Sequence, residues 1–196
     1  MSSLFLASQI LLWIALGVLG VLVAALARQV GVLHERIAPA GALTLHQTLN
    51  SGDKGPEMRL AGLAGSAVAI GGKRAGRSQL IFFLSPDCPV CKTLLPVLKS
   101  CAAAERGWMD VVLASDGDPA DHRRLVMAHA LSDFPYVLSE VLGRALGVSR
   151  LPYAVLLDEQ GRIASLGLVN SREHLESLFE AKERGVASIQ QYLAQL

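Results

Sequence analysis

The hydrophobic pattern changes character once, near residue 28. From Leu4 to Ala27 the chain carries no charged residue, and its polar side chains, Ser8 and Gln9, sit near the start. A helix of that length is about 36 Å long, enough to cross the hydrocarbon core of a bilayer with some tilt. A helix buried in a soluble core is rarely apolar on every face. Residues 1–27 are therefore expected to form a transmembrane anchor. Ala25-Leu26-Ala27 has the small-x-small form of a cleavage site. The apolar run nevertheless exceeds a normal signal-peptide core and nothing basic precedes it, which favours a retained helix. Residues 28–55 hold Gly, Pro, Ser and Asn with little periodicity, and read as a short helical continuation followed by a linker.

Beyond the linker, strand and helix patterns alternate, and residues 56–185 are expected to form one α/β domain. Met58 to Ile70 suits a short hairpin or a leading strand, although its glycines weaken the pattern. Ser78 to Ser85 is a short apolar run of the kind buried on both faces of a sheet. Leu94, Leu95, Leu98, Cys101 and Ala102 then recur as one helical stripe. Met109 to Ala114 repeats the buried-strand pattern. Asp118-Pro119 supplies an N-cap with proline in the first turn, so a helix is predicted to run to about His129. Phe134 to Val137 reads as extended, and Val141 to Leu146 as a short helix closed by Gly147. Leu151 to Leu157 and Ile163 to Leu168 flank Asp158-Glu159-Gln160-Gly161, the composition of a hairpin turn. Ser171 caps a last helix with Leu175, Leu178 and Phe179 inward until Gly185, and residues 186–196 form a helical tail. This order predicts a mixed central sheet flanked by helices.

Composition narrows the function classes. The 196 residues are 52% hydrophobic, and 18 Lys and Arg nearly balance 17 Asp and Glu, which gives nucleic acid no electrostatic handle. Three cysteines are too few for a disulfide-stapled scaffold, so stability must come from a core. Charge also bears on orientation. The only positive group before the apolar run is the amino terminus, whereas Arg28 and Arg36 follow it. Taken literally, the positive-inside rule would hold the following domain in the cytoplasm.

Two of the cysteines lie in Cys88-Pro89-Val90-Cys91, which can be a redox dithiol, half of a metal site or two core residues. Its place at a strand-to-helix junction favours the first. Unpaired N–H groups and the positive end of the helix dipole favour a thiolate at Cys88. Cys91, one turn on, is near enough to close a disulfide and is shielded by the helix. Cys88 is thus the expected nucleophile and Cys91 the resolving thiol. Asp87 would oppose the Cys88 thiolate if it pointed inward, and Lys92 would favour it. Pro89 has no N–H to offer sulfur, which leaves the amides of Val90 and Cys91. A structural zinc needs four ligands. Cys101 belongs to the buried stripe, and His122 and His129 are seven residues apart, so no metal is expected.

These residues resemble the thioredoxin fold in its membrane-anchored thiol–disulfide oxidoreductase branch. The dithiol follows a buried strand, Pro96 sits five residues after the second cysteine, and "LGVSRLPYAVLLDEQGRIASLG" resembles the strand and hairpin that a family proline opens. The resemblance implies a cis peptide bond at Leu151-Pro152, packed near the dithiol and offering backbone to a substrate chain. More narrowly, the apolar N-terminus, "SPDCPVCKTLLPVLKS" and "DFPYVLSEVLGRALGVSRLPYAVLLDEQGRI" resemble the methylamine utilisation protein family MauD. That family implies an inner-membrane, single-pass protein whose domain faces the periplasm. It assists processing, transport or disulfide maturation of the methylamine dehydrogenase small subunit. It needs no cofactor beyond the dithiol, and its partners would be that subunit, the lipid bilayer and a redox-recycling protein. A general periplasmic reductase, as in cytochrome c assembly, and a client-binding chaperone with a structural disulfide are the alternatives. Two positions depart from the wider thioredoxin pattern. Asp87 stands where tryptophan is usual, and Phe82 where many members bury an acid that takes the resolving thiol's proton. They leave the direction of exchange open.

Overall fold

The computed structural model describes residues 2–35 and 49–184. Two compact units divide the chain, Met1–His46 and Gln47–Leu196. In the first, a single helix, α1, runs over Ser2–Glu35. Its side chains are described at Phe5 and over residues 7–23, and every one of them is exposed. Among the described residues no helix is long and apolar enough to cross a membrane. The uncharged stretch of sequence from Leu4 to Ala27 extends past those residues at both ends.

The second unit is built on a five-stranded mixed sheet. In chain order its elements are β1 (Met58–Ala61), β2 (Ala67–Ile70), β3 (Ser78–Phe83), α2 (Pro89–Ala104), β4 (Met109–Ser115), α3 (Pro119–His129), β5 (Tyr136–Leu138), α4 (Glu140–Ala145), β6 (Tyr153–Leu157), β7 (Ile163–Leu168) and α5 (Arg172–Arg184). The strand order is β5-β4-β3-β6-β7, and β1 with β2 forms a separate antiparallel hairpin. β3 pairs parallel with β4 and antiparallel with β6. Every residue of β3 is buried because both faces of the central strand are covered. Leu80, Phe82 and Leu84 pack with α2, α3 and α5, whereas Ile81 and Phe83 pack with the hairpin and α4. The stripe expected on α2 is the one buried: Cys91, Leu94, Leu95, Leu98 and Cys101.

Turn chemistry sets the boundaries. Asp158 Oδ1 accepts from the N–H groups of Gln160 (2.9 Å) and Arg162 (2.8 Å) and closes the β6–β7 turn. Gly161 completes it at φ 77°, where a Cβ would lie 2.9 Å from the Gly72 backbone. β5 begins at Tyr136 rather than Phe134, because the Phe134 N–H turns back to Leu131 O (3.0 Å) and the strand only then straightens. β6 begins at Tyr153, after the cis bond between Leu151 and Pro152.

The short helical continuation expected after residue 27 is present, and only the C-terminal end of the linker assigned to residues 28–55 is corrected. α1 continues to Glu35, and residues 51–55 belong to the domain. Gly52 donates to Ile163 O (2.8 Å), Ile163 to Asp53 O (2.9 Å) and Gly55 to Gly161 O (2.9 Å). These are backbone bonds made by a glycine-rich segment, which leave no hydrophobic period to read. Gly185, the tail at 186–196 and the linker over 36–48 lie outside the described residues.

Candidate active site

The site begins where β3 ends. After Leu84 the chain turns, with the Cys88 N–H donating to Ser85 O at 3.1 Å and the Asp87 N–H to Ser85 Oγ at 3.2 Å. Cys88 is the N-cap of α2, with extended backbone, and Pro89 occupies the first turn, where a missing N–H costs nothing. Cys88 and Cys91 form a disulfide across 5.2 Å between Cα atoms. The Cys91 N–H donates to Cys88 Sγ at 3.1 Å, so the N-cap side-chain acceptor of this helix is sulfur. Of the two amides anticipated, Cys91 supplies the bond.

The two sulfurs differ in access. Cys88 is half-buried, whereas Cys91 is 0% exposed among Phe82, Leu84, Leu94 and Leu95. Phe82 itself is wholly buried in that cluster, so an aromatic ring fills the place where an acid was looked for. Asp87, Pro89, Val90 and Lys92 are all exposed. The Leu151–Pro152 peptide bond is cis, as the resemblance implied. Antiparallel register pairs Phe83 with Tyr153, which puts Pro152 at the dithiol end of the sheet. Pro152 is buried and its carbonyl accepts from the Val169 N–H at 3.1 Å, while Leu151 is 38% exposed. Val90, at 43%, is a second exposed apolar side chain at this end.

Sequence reasoning missed a buried polar chain behind the loop. Ser115 Oγ donates to Leu84 O at 2.6 Å, the carbonyl just before the loop that carries Cys88. His122 is buried on the inner face of α3. Its Nε2 lies 2.7 Å from Asp116 O and its Nδ1 2.7 Å from the Tyr136 hydroxyl. A carbonyl only accepts, so Nε2 carries the proton and Tyr136 donates to Nδ1. Burial pushes the Tyr136 hydroxyl well above its ordinary range, against a smaller opposite pull from Ser115. The available signal was His122 spaced with Leu125 on one face of α3, read only as a poor metal ligand. Cys101, the third cysteine, is buried in the core, and burial pushes its thiol up against the opposing charge of Arg172.

A disulfide at a helix N-terminus, on a mixed sheet and opposite a cis-proline, defines a thioredoxin-like protein, and residues 50–182 match the Redoxin family. The chain is similar to the methylamine utilization protein MauD of Paracoccus denitrificans, with 48% identity over 99% of this chain and 96% of that protein. It is 47% identical to MauD of Methylorubrum extorquens over 95% of this chain and 91% of the relative. The chain belongs to the MauD family. The fold is also that of a putative thiol:disulfide interchange protein DsbE from Chlorobium tepidum. That structure has a TM-score of 0.59 and 21% identity, over 68% of this chain and 98% of the other.

Proposed function

We propose that this chain is a membrane-tethered thiol–disulfide oxidoreductase that faces the periplasm and serves methylamine utilisation. Its client would be the small subunit of methylamine dehydrogenase, assisted in processing, transport or disulfide maturation. The observation that carries the chemistry is the unequal pair of sulfurs, with Cys88 capped by the Cys91 N–H at 3.1 Å and Cys91 out of reach of solvent. In the reduced form the Cys88 thiolate attacks a client disulfide and releases one client thiolate, leaving a mixed disulfide. The Cys91 thiolate then attacks Cys88 Sγ and the second client thiolate leaves, so two electrons have passed to the client. Run backwards, the same steps oxidise a client dithiol. Leu151, Pro152 and Val90 supply a backbone and apolar surface for the client chain.

The anchor is supported by the uncharged sequence from Leu4 to Ala27 and by apolar side chains exposed around α1, among them Trp13, Leu16 and Leu19. Such a surface is stable in lipid and costly in water. The periplasmic side rests on the family's role in methylamine utilisation, against a two-arginine bias in the other direction. Cys91→Ser tests the reading, because it removes the resolving step. A mixed disulfide between Cys88 and the small subunit is expected on a non-reducing gel of the expressing strain. Absence of that adduct, with normal subunit maturation in a Cys88→Ser strain, would overturn it in favour of a binding role.

A further inference from the structure

β4 is half uncovered. β3 lies along it from Met109 to Ala114, but on its other side β5 reaches only Leu113, Ala114 and Ser115. The hydrogen bonds fix which residues face that open side. Ala114 O accepts from Leu84 and Trp108 O from Ser78, so even-numbered residues face β3. Leu113 donates to Pro135 O, so odd-numbered residues face outward. Met109 O is taken by the Arg77 guanidinium at 3.3 Å. The N–H and C=O of Val111 remain, and among the described residues nothing meets them.

They open into a groove of about 920 Å³. One wall is the β1–β2 hairpin, the other the C-terminal end of α2 and the outer turns of α3, including Met127, which is 73% exposed. Its charged lining is Arg74, Arg77, Arg106 and Arg123 against Asp110 and Asp133. Arg77 and Arg74 hold Asp110, which leaves exposed Arg106 and Arg123 against exposed Asp133, so four arginines against two aspartates keep the lining net positive.

We propose that this groove is a second docking site, which takes an extended acidic segment of a partner polypeptide as an added strand on β4. Val111 would supply two main-chain hydrogen bonds, the two walls would receive alternate side chains, and the arginines would select carboxylates. The groove lies beside the far end of α2. From Pro89 to Ala102 that helix spans about 20 Å, which about six extended residues would cover. A partner held there keeps its own sulfur near Cys88 at high effective concentration. The site does not require that the dithiol react.

The test uses the full chain in nanodiscs and two fluorescein-labelled pentapeptides that alternate valine with glutamate or with lysine. Anisotropy should show the glutamate peptide binding about tenfold or more tightly than the lysine peptide, with affinity falling as salt rises. Arg106→Glu with Arg123→Glu should abolish that preference. Hydrogen exchange at the Val111 amide should slow when the glutamate peptide binds. The same results are expected on the Cys88→Ser chain, so failure of the exchange chemistry does not decide this one. Equal affinity for the two peptides, unchanged exchange at Val111, or a self-association that the double substitution dissolves would each overturn the proposal.

Discussion

The Tyr136 hydroxyl donates to His122 Nδ1 across 2.7 Å, and both side chains are buried. Replacing Tyr136 with Phe keeps the ring and leaves His122 Nδ1 buried without a donor. That costs about 1–3 kcal/mol, the range for an orphaned buried acceptor. Urea unfolding of Tyr136→Phe should show the loss as a lower midpoint at unchanged slope, and an unaltered midpoint would mean the bond contributes nothing. The pair also marks what one sequence conveys at this scale. The pairing of Cys88 with Cys91 was legible because a two-residue spacing at a helix start brings the two sulfurs together. The use of His122 was not, since its partners, Asp116 O and Tyr136, come from a loop and another strand that only the folded sheet brings together. Phe82 was legible as an absent acid, and its burial beside Cys91 gives that absence a physical form.

Among elements, periodicity performed well wherever one face is buried. The stripe on α2 came from side-chain spacing and the hairpin β6–β7 from the composition of its turn, and both are present. β5 was harder, because three residues hold too little pattern to separate strand from the turn before it. Contacts that dock one element on another were invisible in advance. Glu159, in the β6–β7 turn, accepts from Lys182 of α5 at 2.6 Å, and Lys182 lies 4.5 Å over the Trp108 ring. The Lys182 ammonium, chiefly, holds the Glu159 carboxyl below the usual carboxylate range. A folded-state value depressed below the unfolded one adds stability above about pH 4.3, lost as pH falls through the folded value. Glu159→Gln should therefore be less stable than the parent at pH 7, by about 0.5–1 kcal/mol for a partly exposed pair. Thermal unfolding of the two should converge once the pH has fallen through the folded-state value of that carboxyl. A difference that persisted in acid would assign the effect to packing.

At the scale of the whole molecule, composition placed one apolar segment apart from one α/β unit, and two compact units are what the chain forms. The end of the linker was misplaced because residues 51–55 join the sheet through polar bonds, which leave no hydrophobic period. Most of these are main-chain, and one runs from Ser51 Oγ to Ala164 O. In the proposed chemistry an outward-facing Cys88 reacts while Cys91 waits behind it. Spheroplasts of the expressing strain, reduced and then pulsed with a membrane-impermeant maleimide, test side and division of labour together. Peptide mapping should find Cys88 modified before lysis. Cys91 and Cys101 should lag far behind. Modification only after lysis would put the domain on the other side of the membrane, and Cys91 reacting as fast as Cys88 would remove the division of labour between them.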